Sequence, residues 1–199
     1  MVRVFGDVWS GNCYKVKLVL TQVKRPFEWV PVDIMKSESR TSKFLAKNPN
    51  GRVPTVELDD GTCLAESNAI LWYFAEGTPL VPDSRLARAQ ALQWMFFEQY
   101  SHEPNIATSR YFIRYLGNPP EKKEALAARV APGYAALGVM ETHLKANDWF
   151  AAGRYSIADI ALYAYTHCAD EGGFDLGRFP AIRAWLARVE SQPFYTPMG

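Results

Sequence analysis

The fold is decided by residues 48–70, which read NPNGRVPTVELDDGTCLAESNAI. Two short apolar runs, 54–58 and 62–65, flank an Asp-Asp-Gly turn, and Asp-Gly between two such runs is a strong signal for a β-hairpin. Ser67 follows the hairpin and opens a segment whose apolar residues recur at helical spacing. The stretch therefore predicts two antiparallel strands followed directly by a helix.

The residues before this stretch predict a strand, a helix, a second strand and a short helix. Alternating valines indicate the first strand over 2–8, and residues 13–23 follow helical spacing. Residues 27–32 are typical of a second strand, and 41–46 of a short helix. A right-handed crossover makes the first two strands parallel. We therefore expect a mixed four-stranded sheet with helices on its faces, in a domain over residues 1–77.

The rest of the chain predicts a second domain that is entirely helical. Residues 77–82 contain one glycine and two prolines, which is typical of a linker. A long helical run follows over 86–115, and a second over 126–144 keeps apolar spacings of three and four. Apolar residues at helical spacing predict two further helices, one around 160–164 and one around 182–189. The expected fold class is thus α/β followed by all-α, with the helical domain over 86–199.

Composition excludes several classes of function. Lys and Arg number 22 against 21 Asp and Glu, so nothing predicts a nucleic-acid partner. The three cysteines, Cys13, Cys63 and Cys168, form no CxxC pair, so neither a disulfide framework nor a metal site is expected. No signal peptide and no apolar window of about 18 residues is present, so no membrane contact is expected. These features favour a soluble, cytoplasmic protein.

Ser10 is the first candidate for chemistry, because it lies between the first strand and the first helix. The first amides of a helix have no intrahelical partners, and the helix dipole places partial positive charge there. A thiol held at such a position is shifted towards the reactive thiolate, and a serine hydroxyl can donate a hydrogen bond to it. Serine also caps helices without any chemical role, so position alone leaves both interpretations open.

Val53 and Pro54 are the second candidate. If the bond between them is cis, the backbone of Val53 can present an open strand edge to a peptide-like ligand. A proline that simply begins a strand is the alternative.

Glu66 and Ser67 are the third candidate, where the hairpin meets a helix. Ser67 is expected to cap that helix, and the neighbouring amides could donate hydrogen bonds to a bound carboxylate. The Glu66 carboxylate could bind an ammonium group. The pair thus offers partners for both ends of an amino acid, although an ordinary cap preceded by a surface acid would have the same sequence. Charge for a second carboxylate could come from several basic residues, namely Lys36, Arg40, Lys43 and Arg52.

A fourth motif, residues 156–159, predicts a capping box. Ser156 can accept from the amide of Asp159, whose carboxylate can reach back to the amide of Ser156. The role expected for this motif is in folding.

Together, residues 10–16, 48–54, 66–70 and 156–159 resemble the glutathione transferase family, and the resemblance covers essentially the whole chain. It implies a thioredoxin-like N-terminal domain, an all-helical C-terminal domain and a homodimer. It also implies that Ser10 stabilises the glutathione thiolate and that Val53, before a cis Pro54, pairs with the cysteinyl unit. The remaining implied contacts are Glu66 and Ser67 with the γ-glutamyl unit, and Asn50, Arg52 and, more loosely, Arg40 at the glycyl end.

Two neighbours of Ser10, Tyr14 and Cys13, do not match the activating residues of the tyrosine-type and cysteine-type classes of that family. Tyr14 lies past the turn and is expected to point elsewhere. Cys13 lies one place beyond the position of the cysteine in the cysteine-type classes, so it ranks below Ser10, with Asn12 as a possible second donor.

The resemblance implies a detoxification reaction in which the glutathione thiolate attacks an electrophilic or thiol-reactive small molecule. Glutathione is then a co-substrate, and no metal is needed. A glutathione-dependent disulfide reductase or isomerase, and a non-catalytic binding module of the same fold, are the alternatives. The second substrate is expected to lie between the domains, against Trp9 and the first long helix of the helical domain. The candidates from the helical domain to line this pocket are Tyr100, His102, Arg110, Tyr111 and Tyr115.

Overall fold

The computed structural model describes all 199 residues, and the chain divides into two compact units. The first unit combines Met1–Thr78 with the tail Pro193–Gly199, and the second is Pro79–Gln192. The sequence had placed the tail in the helical domain. It belongs instead to the first unit, because the Tyr14 hydroxyl donates a hydrogen bond of 2.8 Å to the carbonyl of Thr196.

A mixed four-stranded sheet forms the centre of the first unit. Its strands are β1 Val2–Gly6, β2 Phe27–Pro31, β3 Thr55–Glu57 and β4 Cys63–Ala65. They lie in the order β2-β1-β3-β4, with β1 and β2 parallel and the other two pairs antiparallel. This is the sheet that the sequence predicts, and the α/β plus all-α fold class is confirmed.

The first strand is shorter than predicted because a turn begins at Asp7. The carbonyl of Asp7 accepts from the amide of Ser10 at 3.2 Å, and its carboxylate accepts from the amide of Trp9 at 2.8 Å. These bonds turn the chain out of the sheet and into the first helix.

Three helices complete the first unit: α1 Gly11–Gln22, α2 Ser42–Leu45 and α3 Ser67–Ala75. Helices α1 and α3 pack against each other. Phe44 of α2 meets the ring of Phe5 edge to face at a centroid distance of 6.4 Å. Because side chains alternate along a strand, Val4 faces the opposite side of the sheet from Phe5.

The second unit is all-helical, as predicted. The helix Ile157–Thr166 is buried along its whole length, because several of the other helices pack against it. The predicted run over 86–115 is helical throughout but contains two π-helical turns, Glu98–His102 and Tyr111–Tyr115. No helix of the chain combines the length and the apolar character needed to cross a bilayer. The helices are α4 Arg85–Phe97, α5 Glu103–Arg110, α6 Lys123–Leu144, α7 Ile157–Thr166 and α8 Pro180–Glu190.

The predicted capping box is present at the start of α7. Ser156 Oγ accepts from the amide of Ala158 at 3.3 Å, and the Asp159 carboxylate accepts from the amide of Ser156 at 2.9 Å. The same carboxylate also accepts from the amide of Phe150 and from the indole of Trp185. Asp159 thus joins the helix start to the core of the unit, and its burial raises the pKa of its carboxyl group to about 7.

Candidate functional site

The sheet register brings the predicted site segments to one edge of the sheet. Phe5 of β1 pairs with Thr55 of β3, and Thr55 pairs with Ala65 of β4. One residue beyond this row, the chain reaches Pro54 on one strand and Glu66 on another, while β1 leads on to Ser10. The predicted thiol, peptide and amino-acid subsites therefore share the same end of the sheet.

Ser10 is the N-cap of α1, with its backbone extended at φ −77° and ψ 122°. Its Oγ accepts from the amide of Cys13 at 3.4 Å, so the capping interpretation of this serine is correct. Because Oγ is the acceptor in that bond, its own proton is left to donate elsewhere. Ser10 can therefore cap the helix and donate to a ligand at the same time.

The start of α1 favours a bound anion. The first turn of the helix contains no acidic side chain that would neutralise the dipole locally. The first amides of a helix, that of Gly11 among them, have no intrahelical acceptor. A sulfur held at this end would be stabilised as the thiolate.

Cys13 and Tyr14 do not contribute a reactive group to the helix start. The side chain of Cys13 is fully buried, and this burial raises the pKa of its thiol to about 12. Ser10 acts in the opposite direction on that pKa through its hydrogen bond, but the effect of burial is larger. Tyr14 is also buried, and its hydroxyl is directed to the tail at Thr196.

The bond between Val53 and Pro54 is cis. Neither the amide nor the carbonyl of Val53 takes part in a backbone hydrogen bond of the chain. Its backbone is therefore open to pair with an extended peptide.

Asn48 organises the loop before Pro54, and sequence reasoning missed it. Its amide group donates to the carbonyl of Arg52 at 2.9 Å and to Thr55 Oγ1 at 3.1 Å. Its side-chain oxygen accepts from the amide of Asn50 at 3.1 Å. The sequence signal was the Asn-Pro-Asn-Gly stretch itself, because an asparagine before such a turn is a typical organiser of loop backbone.

Arg40 and Asn50 lie together, while Arg52 is exposed beside them. The Arg40 guanidinium donates to the carbonyl of Asn50 at 2.9 Å. Gly51 between them has a φ of +63°, and a Cβ there would lie 2.6 Å from an Arg40 nitrogen. The positive φ and the Ser39 carbonyl, which would lie 3.0 Å from such a Cβ, favour glycine at this position. The structure gathers the three predicted residues at one loop.

Glu66 and Ser67 differ from the prediction in their helical positions. Glu66 is the N-cap residue, with an unusual φ of 66° and ψ of 112°, and α3 begins at Ser67. Ser67 does not cap the helix, because its hydroxyl donates to Asn12 Oδ1 at 3.2 Å. This bond joins the N-termini of α1 and α3. Strained backbone of the kind seen at Glu66 occurs most often at functional sites.

Lys15 is the second residue that sequence reasoning missed. Its side chain is completely buried, and Nζ lies 3.4 Å from Ser67 Oγ and 3.5 Å from Asn68 Oδ1. The available signal was a charged residue four places before Val19 on the apolar face of α1.

Two of the predicted second-substrate residues are buried within the helical unit. His102 is fully buried, and one of its ring nitrogens lies 3.0 Å from Thr166 Oγ1. Arg110 is buried and forms an ion pair of 2.8 Å with Glu171. Tyr100, by contrast, is 88% exposed.

Comparison with known proteins identifies both halves of the chain. Two family profiles match: glutathione S-transferase, N-terminal domain, over residues 9–76, and glutathione S-transferase, C-terminal domain, over residues 105–193. The crystal structure of a glutathione S-transferase from Pseudomonas fluorescens is 54% identical, with a TM-score of 0.97. That match covers 99% of this chain and 98% of the other.

Two more distant relatives differ in what they bind or do. A glutathione transferase family member from Pseudomonas fluorescens, crystallised with two glutathione bound, is 26% identical, with a TM-score of 0.83. The match covers 97% of this chain and 89% of the other. The disulfide-bond oxidoreductase YfcG of Escherichia coli is 28% identical over 92% of this chain and 88% of its own length.

Proposed function

Because the chain belongs to the glutathione S-transferase family, we propose that it is a glutathione transferase that activates the thiol of glutathione for attack on an electrophilic small molecule. The observation that carries this proposal is the shared sheet edge, where Ser10, the open backbone of Val53 and the start of α3 come together. These groups match a thiol, a peptide backbone and an amino-acid end, which are the parts of glutathione.

The peptide is held by three subsites. The backbone of Val53 pairs with the cysteinyl unit as an added strand. The amides at the start of α3 bind the γ-glutamyl carboxylate, and the exposed Glu66 carboxylate binds the ammonium group. Residues Arg40, Asn50 and Arg52 lie at the glycyl carboxylate.

The chemistry begins when the thiol of bound glutathione releases its proton to solvent. The Ser10 hydroxyl donates a hydrogen bond to the sulfur, and the α1 dipole stabilises its negative charge. A sulfur lone pair then forms the new bond to the electrophilic atom, and the leaving group departs with the electron pair of the broken bond. The protein contributes a lowered thiol pKa and a fixed position for the sulfur.

Reduction of disulfides is a second candidate, favoured by the relationship to YfcG. Here the glutathione thiolate attacks a disulfide sulfur and one thiolate leaves, which forms a mixed disulfide with glutathione. A second glutathione thiolate then attacks the glutathione sulfur of that mixed disulfide, so that glutathione disulfide forms and the other thiolate leaves. Cys13 is buried and its thiol pKa is raised to about 12, so the attacking sulfur would be that of glutathione in this reaction too.

We also propose a homodimer in the cytoplasm. Leu92, Phe96 and Tyr100 are spaced four residues apart and are 37%, 70% and 88% exposed. A second copy of the chain could pack against these exposed apolar side chains and bury them in a dimer interface. All three cysteines are free, which fits a reducing compartment.

The test is retention on immobilised glutathione, followed by turnover with 1-chloro-2,4-dinitrobenzene and, separately, with hydroxyethyl disulfide. Retention with conjugation supports the transferase, and retention with disulfide reduction alone supports the reductase. Glu66→Gln is expected to weaken glutathione binding about tenfold, because it removes the charge that faces the ammonium group. Glu121→Gln, at an exposed site in the helical unit, is the control. Absence of retention by the unmodified protein would contradict the proposal and favour a binding module.

A further inference from the structure

A cavity of about 340 Å³ lies in the second unit, between helix α4, the end of α6 and residues 149–153. Every residue that lines it belongs to the second unit, whereas Ser10, Val53 and Glu66 belong to the first. Its volume is within the range of sites that hold small molecules. The cavity is therefore a candidate binding site that the proposed function does not use.

Aromatic residues line much of this cavity and fix its shape. The Trp94 ring packs against the ring of Phe150 at a centroid distance of 4.7 Å and against that of His143 at 4.8 Å. His143 Nε2 lies 3.0 Å from the carbonyl of Trp149, and the amide of Phe150 donates to the Asp159 carboxylate at 3.2 Å. Because these contacts join the segments around the cavity, its walls are preformed. Trp149 and His143 are partly exposed, so part of each ring is open to a ligand.

The cavity also offers hydrogen-bonding groups that the fold itself does not use. Gln90 and Gln93 line it from α4, and their spacing of three residues places them on one face of the helix. Both side chains are exposed and form no hydrogen bond within the chain. Because a carbonyl can only accept, His143 Nε2 carries a proton in its bond to Trp149, which leaves Nδ1 of the neutral ring as an acceptor.

The lining of the cavity defines the chemistry of a ligand that fits it. No Asp, Glu, Lys or Arg lines the cavity, so a neutral ligand is favoured over an ion. Each glutamine amide presents a donor and an acceptor side by side, which match the N7 acceptor and the amino-group donor on one edge of adenine. Aromatic side chains stack with planar bases. These properties together indicate a planar heteroaromatic ring that carries an adjacent donor and acceptor.

We propose that this cavity binds a neutral, planar heteroaromatic molecule of the adenine type, through ring contacts with Trp149 and His143 and a paired hydrogen bond to Gln90 or Gln93. The inference is independent of the proposed function, because it involves no residue of the first unit and does not take glutathione as the ligand.

The test compares two ligands by calorimetry. Adenosine is the probe, and purine riboside, which lacks only the amino group, is the matched ligand. The unmodified protein should bind adenosine with a dissociation constant on the order of 0.1 mM, which is ordinary for a ligand of this size. It should bind purine riboside about tenfold more weakly, because the donor of the pair is missing. Saturation with glutathione should leave the affinity for adenosine unchanged.

The double variant Gln90→Met with Gln93→Met keeps the length of both side chains and removes their hydrogen-bonding groups. It should bind adenosine about tenfold more weakly and purine riboside within about twofold of the unmodified protein, because only adenosine makes the paired hydrogen bond. Since both glutamines are exposed, the variant should unfold at the same denaturant concentration as the unmodified protein.

Gln192→Met is the control, because Gln192 belongs to the same unit, does not line the cavity and donates to the carbonyl of Arg188 at 3.0 Å. It should bind both ligands as the unmodified protein does. Absence of adenosine binding, an unchanged affinity for adenosine in the double variant, equal losses for both ligands, or displacement of adenosine by glutathione would each overturn the inference. Failure of the unmodified protein to bind glutathione would instead contradict only the proposed function.

Discussion

Replacement of Ser10 by alanine separates the two roles that the structure allows for this side chain. As an N-cap, Ser10 Oγ accepts from the amide of Cys13 at 3.4 Å, which is near the limit of a hydrogen bond. Loss of the cap should therefore cost about 0.5–1 kcal/mol of unfolding free energy, the lower part of the usual range. As a donor to a thiolate, the same hydroxyl makes a hydrogen bond to a charged group, which contributes about 1.5–3 kcal/mol.

The second role has a specific consequence for the ligand. Since one pKa unit corresponds to about 1.36 kcal/mol, loss of that hydrogen bond should raise the thiol pKa of bound glutathione by about 1–2 units. Below that pKa the thiolate fraction falls about 10–100-fold, and the conjugation rate should fall with it.

The assay is an ultraviolet titration of the thiolate of bound glutathione, carried out beside denaturant unfolding and turnover. Ser84→Ala is the matched control, because Ser84 caps α4 in the same way through the amide of Ala87 at 3.2 Å. It should lose a similar amount of stability and leave the thiol pKa unchanged. If Ser10→Ala loses stability but keeps the same thiol pKa and rate, Ser10 is only a cap and the reasoning fails.

Three further predictions concern stability and the cysteines. Ser156→Ala should lower the free energy of unfolding by about 1 kcal/mol or more and leave turnover unchanged, as measured by denaturant unfolding and steady-state rates. Burial raises the pKa of Asp159 from 3.8 to about 7. At a pH between these two values, the folded state therefore holds a proton that the unfolded state has lost. This contribution to stability is present at low pH and is lost as pH rises towards about 7, by at most about 1.4 kcal/mol per pH unit. Asp159→Asn should lack that slope, and parallel curves for the two proteins would contradict the assignment. Mass spectrometry after brief alkylation should find Cys63 modified before Cys13, because Cys13 is fully buried with a thiol pKa of about 12. Alkylation of Cys13 before Cys63 would contradict this prediction and would show that the turn over residues 7–10 opens.

Much of the fold could be predicted because its signals are local. The Asp-Asp-Gly turn determines the hairpin of β3 and β4, and the capping box marks the start of α7. The two π-helical turns, Glu98–His102 and Tyr111–Tyr115, were not predicted, because a single inserted residue leaves helical periodicity almost unchanged.

The site was predictable only in part, because several of its contacts join distant parts of the chain. The motifs around Ser10 and Glu66 lie in segments that the sheet register brings to one edge of the sheet. However, the bond between Ser67 and Asn12 spans 55 positions, so sequence alone assigned Ser67 to the helix cap. Lys15 and Asn48 were missed for the same reason, since their roles depend on tertiary partners. Burial of His102 and Arg110 likewise follows from packing within the helical unit.

The position of glutathione in a crystal of the complex is the most direct test of the central claim, which is that α1 and α3 begin at one ligand site. We predict that the sulfur lies within about 3.5 Å of Ser10 Oγ. We also predict that the cysteinyl backbone pairs with Val53 and that the γ-glutamyl carboxylate lies at the amides of Ser67 and Asn68. Glutathione bound elsewhere, or with its sulfur turned away from the start of α1, would contradict the account.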